Sequence, residues 1–226
     1  MDSSITPLSN ASMSLAERLA MYAPAIGKGL AITALLSAAA IAMGFVAAVT
    51  LYGLRNRWPR IGAGAVRIYV SFFRGTPLLV QLLMLFYLPA AFGVDLNPWL
   101  SAAAVLALNS AAFQSEILRA GFNAIPAAQI EAASVFGLTW RQTLWHIQLP
   151  QVLRLILPSL TSEAIDIIKG SAVISVLAIA DLMRVGKQLS ALTYRPLEVY
   201  ICIAFAYLAL TCIVTAAAAV IQRRSA

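Results

Sequence analysis

The chain has 226 residues and a net charge of +7, with 61% hydrophobic and 11% charged residues. Soluble domains carry about 25% charged residues, so an ordinary soluble fold is excluded, and the length holds about five membrane spans with short loops. The basic excess raises nucleic-acid binding, but no basic face interleaved with stacking aromatics occurs, and the arginines sit beside apolar runs.

Residues 1–28 lack a basic stretch followed by an apolar core, so no cleaved signal peptide is expected. They are expected to form a short periplasmic N-terminal segment, ahead of a transmembrane domain over residues 29–224. The apolar runs predict five spans, over residues 29–54, 66–92, 99–118, 152–180 and 199–221. The fourth is interrupted by a charged cluster. The expected class is all-α, a polytopic membrane protein of five transmembrane helices.

Charge placement orients the spans. Arg55, Arg57, Arg60, Arg67 and Arg74 follow the first span or open the second. Arg119, Arg141 and Arg154 flank or occupy residues 125–150, and Arg223 and Arg224 close the sequence. These ends should lie in the cytoplasm, with the N-terminus periplasmic and the C-terminus cytoplasmic. The segment over residues 181–198 fits less well, since Arg184, Lys187 and Arg195 would then face outward.

Within the second predicted span, Arg74-Gly75-Thr76-Pro77 interrupts the helix and frees backbone groups, which must be buried in protein or wetted. The residues alone favour a bent helix with a snorkelling arginine over a functional element. At the end of the third span Glu116 and Arg119 lie one turn apart. They are either a local i,i+3 pair or organisers of the cytoplasmic mouth.

Residues 125–150 are the least apolar stretch, carrying Gln129, Glu131, Arg141, Gln142 and His146. Pro126 suits a first helical position and Gly137 a break. Thr139 with Gln142 reads as a capping box for a second helix, closed by Pro150. Neither piece is long enough to cross a bilayer, so a docking surface for a soluble partner is expected. His146 is the single histidine, which excludes a multi-histidine metal site.

In the fourth span Glu163, Asp166 and Gly170 fall at i, i+3 and i+7, which predicts one helical face, with Lys169 beside Asp166. Intramembrane charges are costly and usually face a bundle interior or a wet path. Two readings stand: a self-neutralising Asp166–Lys169 pair, or a cavity wall that meets a zwitterionic or cationic solute. Cys202 and Cys212 lie ten helical residues apart, too far for a disulfide.

Four stretches carry a resemblance. Glu131-Ala132-Ala133, Gly137 and Ile147-x-Leu149-Pro150 resemble the EAA loop of ABC-importer permeases. Phe73-Arg74-Gly75-Thr76-Pro77-Leu78-x-Val80-Gln81 is similar to a signature of the polar-amino-acid permeases in that family. Residues 109–129 and the run around Glu163, Lys169 and Ser171 match further family patterns. Phe113, Ala128 and Asp166 are departures, the last a weak pointer to basic solutes.

The resemblance implies the type I importer permease fold of the histidine, glutamine and arginine class, in a bacterial inner membrane. It implies an ATPase docking on the cytoplasmic coupling loop at Glu131, Ala132, Ala133 and Gly137. It also implies a substrate path at Glu163, Asp166, Lys169 and Ser171, with gating or structural roles for Arg74, Gly75, Thr76, Pro77, Glu116 and Arg119. The implied partners are ABC ATPase subunits, a second permease subunit (a copy or a relative), a periplasmic solute-binding protein, the amino acid and lipid.

No G-x-x-x-x-G-K-[ST] phosphate loop occurs, so no cofactor is expected in this chain. ATP and Mg would belong to the partner, and the chain itself would be no enzyme. An ATP-independent transporter or channel using Glu163, Asp166 and Lys169 is the alternative; it would lack the internal repeats such folds usually carry.

Overall fold

A computed structural model describes residues 14–225, all of them helix, turn or short connection. Helix α1 (Leu15–Arg57) is 43 residues long, about 65 Å at 1.5 Å per residue. It starts well before the predicted boundary at residue 29. Ser14 and Glu17 form a reciprocal capping box that satisfies the first amides. Residues 1–13 of the predicted N-terminal segment lie outside the described residues.

Helices α2 (Ile61–Gly75) and α3 (Leu78–Ala91) replace the single predicted second span and are bent 110° against each other. Pro77 has no amide proton to continue the helix, and its ring pushes the preceding residue out of the helical region. Thr76 accordingly lies at φ −118°, ψ 146°. Helix α4 (Pro98–Asn123) follows, capped by the Asn97 side chain.

α1 and α4 are the centre of the fold and run in the same direction. Leu36 and Ala40 pack with Ala102, Val105 and Leu106 at one end; Arg55 reaches Glu116 towards the other. Small residues let the backbones approach. A Cβ on Gly44 would stand 2.9 Å from Ser110 Cβ and 3.1 Å from the Ala107 carbonyl oxygen. Gly44→Ala should therefore cost roughly 1–3 kcal/mol through overpacking. Gly53→Ala on the same helix meets nothing within 4 Å and should be neutral or slightly stabilising. Thermal unfolding of the two purified variants tests this; equal midpoints would remove the close-approach argument.

Two short helices, α5 (Ala127–Val135) and α6 (Trp140–Thr143), occupy the polar loop. Here two sequence expectations change. Pro126 is the N-cap of α5 rather than its first residue. Pro150 does not close the second loop helix: α6 runs through a π turn at Leu144–Gln148 directly into α7 (Leu149–Gly170). In a regular α-helix the Pro150 ring would strike the carbonyl four residues back. The wider π turn, closed by the Leu149 amide on the Leu144 oxygen, lets the chain pass that point.

A 3₁₀ segment (Ser171–Leu177) ends at Ala178 in the left-handed region, and α8 (Leu182–Thr193) and α9 (Pro196–Ser225) complete the chain. The stretch read as an outward loop thus contains a helix, seated on α1 and α9 through Tyr22, Leu182, Val185, Leu189, Val199 and Ile203. Its basic residues are largely used internally. Arg184 and Lys187 donate to Ser175, and Arg195 and Arg18 flank Glu198.

Among the described residues, α1 and α9 are long and apolar enough to cross a membrane by themselves; the bent α2–α3 pair counts as a third if taken as one span. Leu35, Val46, Phe205 and Ile213 are exposed at 73%, 65%, 64% and 66%. Such outward apolar faces belong in lipid or against protein, not in water. α4 and α7 have comparable length, but their polar residues bring down their hydropathy.

Candidate functional site

The polar loop is built on a firm base. Ile125 is buried with Ala48, Leu118, Val152 and Ile156, and the Gln151 amide donates to Gln129 Oε1 at 2.8 Å, tying α5 to α7. α5 ends in a left-handed cap. Gly137 has φ +77°, its amide donates to Ser134 O, and the Leu138 amide reaches back to Ala133 O at 3.0 Å. A side chain at Gly137 would meet the left-handed penalty of roughly 1–2 kcal/mol. The predicted capping box forms: the Gln142 amide donates to Thr139 Oγ1, and Gln142 Oε1 accepts from the Thr139 amide at 2.8 Å.

The loop presents Glu131, Arg141 and several apolar knobs. Glu131 and Ala132 are exposed, whereas Ala133 is only 3% exposed and packs inward. Val135 and Phe136 are 85% and 84% exposed, with Trp140 beyond them. The sequence reading missed Val135 and Phe136. The signal was present as two large apolar residues immediately before a helix-ending glycine.

At the α2–α3 bend, two buried amide side chains meet the backbone groups freed by Pro77. Gln81 Nε2 donates to Phe73 O (2.8 Å), Thr76 O (2.9 Å) and Thr76 Oγ1 (2.9 Å). Asn109 of α4 donates to Gln81 Oε1 at 3.0 Å and to Phe73 O at 3.3 Å. Arg74-Gly75-Thr76-Pro77 thus forms a break held by Gln81 and Asn109. Neither amide had been assigned a role from the sequence.

Glu116 and Arg119 pair as the i,i+3 spacing suggested, at 2.7 Å, and Arg55 of α1 joins from the other side at 3.1 Å. This network fastens the last turn of α1 to α4. Nearby, the Arg74 guanidinium lies over the Phe113 ring, 5.1 Å from its centroid.

On α7, Glu163 and Asp166 do not share the predicted face. Glu163 is only 6% exposed and sits against α4, with Oε1 lacking a hydrogen-bond partner. Asp166 and Lys169 stand outward, with side chains 67% and 59% exposed, and pair at 2.8 Å. Residues three apart are rotated about 60° from register, enough to carry one beneath α4 and leave the other outside it. Ser171 is fully buried and donates to Ile168 O. Among the described residues no group of three His, Cys, Asp or Glu side chains could hold a metal ion.

Comparison with known proteins gives a consistent outcome. The profile of a family described as the binding-protein-dependent transport system inner membrane component matches residues 21–226. The arginine transport system permease protein ArtQ of Bacillus subtilis is 35% identical over 202 residues, covering 89% of this chain and 92% of that protein. A putative glutamine transport system permease protein, GlnP of Rickettsia bellii, is 36% identical over 88% of this chain and 92% of its own length. A crystal structure of an amino acid ABC transporter with histidines superposes with TM-score 0.86 at 31% identity, covering 94% of this chain and 99% of that one. The MetNI methionine ABC transporter in inward-facing form shares the fold at TM-score 0.74 and 22% identity, over 89% and 96% of the two chains.

Proposed function

The chain belongs to the inner-membrane components of binding-protein-dependent transport systems, and from that premise we propose how it works. It is a permease subunit of an amino-acid ABC importer, a membrane protein with the type I importer permease fold. The relatives named above are amino-acid permeases, which leaves the ATP-independent alternative without support.

The finer reading is that five spans, formed by α1, the α2–α3 pair, α4, α7 and α9, cross the membrane with the N-terminus periplasmic. The segment over residues 125–150 is the coupling loop. Glu131 and the Val135–Phe136 knob seat a separate ATPase subunit, and Gly137 sets the turn between the two loop helices. Because α6 continues through the π turn into α7, a push on the loop is transmitted along one helix to Glu163, Asp166 and Lys169. A second permease subunit covers part of the remaining apolar surface, and a soluble binding protein delivers the solute. ATP and Mg belong to the partner.

The exposed Asp166–Lys169 pair on a membrane helix is the observation that carries the solute reading. Charges so placed need water or a polar ligand, and a carboxylate beside an ammonium complements a zwitterion. The solutes of the relatives, arginine and glutamine, point to polar amino acids, basic ones among them. Reconstituted with its ATPase and binding protein, the permease should import arginine or glutamine only with hydrolysable ATP. Asp166→Asn should shift preference away from arginine by roughly tenfold, the worth of one charge-assisted contact. Uptake without ATP would reject the importer reading; an unchanged preference would reject the role of Asp166.

A further inference from the structure

A cavity of about 440 Å³ lies between α2, α4 and α7, lined among others by Arg74, Phe113, Glu116, Arg119 and Ser159. That volume falls in the range of small-molecule sites, roughly 300–1,000 Å³. Its charges do not balance. Glu116 Oε1 accepts from Arg55 at 3.1 Å, and Oε2 accepts two Arg119 donors at 2.7 and 2.8 Å. Three arginines therefore surround one carboxylate that two of them already occupy.

Arg74 is the remainder. Among the described residues it makes no ion pair, though the Glu116 and Glu163 carboxylates lie near enough to feel its charge. Stacking on Phe113 fixes the guanidinium plane but leaves its edge donors open. It stands in the last turn of α2 and is exposed. An arginine facing lipid would be costly, and its cavity neighbours Glu116, Arg119 and Ser159 are polar, so this face meets water or a polar ligand. The Ser159 hydroxyl on α7 likewise has no hydrogen-bond partner among the described residues.

We propose that this cavity is a way station that binds the carboxylate of an amino acid on the loop side of the transport path. Arg74 supplies the planar fork that a carboxylate matches, and Ser159 a second donor. Glu116 Oε1 keeps a lone pair for the solute's ammonium. The site is distinct from the Asp166–Lys169 pair and rests on the amino-acid permease reading above.

The test is calorimetric titration of the full chain in phosphatidylethanolamine nanodiscs with L-arginine, L-glutamine and their carboxamides. At least one free acid should bind ten or more times tighter than its carboxamide, a comparison that needs no variant. Arg74→Gln should abolish that difference while leaving the carboxamide affinity unchanged, and Arg74→Lys should restore part of it. Discrimination that persists in Arg74→Gln, or acid and carboxamide binding alike to wild type, would overturn the proposal. Acid binding ten times weaker in phosphatidylglycerol nanodiscs would assign the cavity to a lipid headgroup and overturn it too. If wild type binds none of the four while the reconstituted complex still imports arginine or glutamine, the way station falls and the amino-acid reading stands.

Discussion

Glu131→Arg combined with Phe136→Ala should strip the ATPase from the permease: co-purification lost, and ATP-driven uptake with it. The physical basis is the exposure of the loop. Phe136 is 84% exposed beside Val135 at 85%, on a segment too short and too polar to sit in lipid. Aromatic anchors of this kind dominate interfaces, and truncating one costs on the order of 2–4 kcal/mol when it fills a partner pocket. That is roughly 30- to 1,000-fold in affinity. Glu131 has no ion pair or side-chain hydrogen bond within the described residues, so reversing its charge should leave the fold intact. Each single variant should unfold at the wild-type temperature and weaken recovery by about tenfold or more. A further variant, Gly137→Pro, tests the turn instead. It deletes the amide that donates to Ser134 O and forces φ from +77° to about −65°. Full recovery of the ATPase by the double variant would remove Glu131 and Phe136 from the contact.

How much of this was readable in advance depends on whether the information was local. Gly137 and the Thr139–Gln142 box are local devices, decided within four residues, and both appear as read. The break at Pro77 is local too, but its consequences are not. The side chains that satisfy it come from one turn beyond the break and from another helix, Gln81 and Asn109, which lie 28 positions apart. Arg55 and Glu116 meet across 61 positions, so the i,i+3 spacing revealed only half of that network. Pro150 misled because a proline stop rule assumes regular α-geometry, and the π turn evades it. The face of α7 was misjudged for a different reason. An i,i+3 step leaves about 60° between Glu163 and Asp166, and only the packing of α4 against α7 decides that the first is buried and the second exposed.

Gln81→Leu should lower the stability of the chain by several kcal/mol and abolish uptake, though it preserves side-chain volume within a few methyl equivalents. Leucine fills the site but donates nothing. Thr76 O loses the Gln81 donor, and one of the two Asn109 Nδ2 hydrogens loses its acceptor at 3.0 Å. Phe73 O keeps only the longer bond from Asn109, at 3.3 Å. Each buried group left unsatisfied costs ~1–3 kcal/mol, so two of them amount to about 2–6 kcal/mol. Lipid offers no water to compensate. The functional consequence follows from the 110° bend. Arg74 lies three residues before Pro77, so relaxing the break moves its guanidinium off Phe113 and out of the α2–α4–α7 cavity. Thr76→Val should act in the same direction but more mildly, since it removes the hydroxyl bond to Phe72 O at 2.8 Å and one of three Gln81 contacts. Adding Asn109→Ala to Gln81→Leu should cost less than the sum of the single changes, because their mutual bond is counted in both. Thermal unfolding in detergent measures the three variants and the pair. An unfolding midpoint for Gln81→Leu equal to wild type would mean that the freed carbonyls find other donors and that the bend does not depend on this amide.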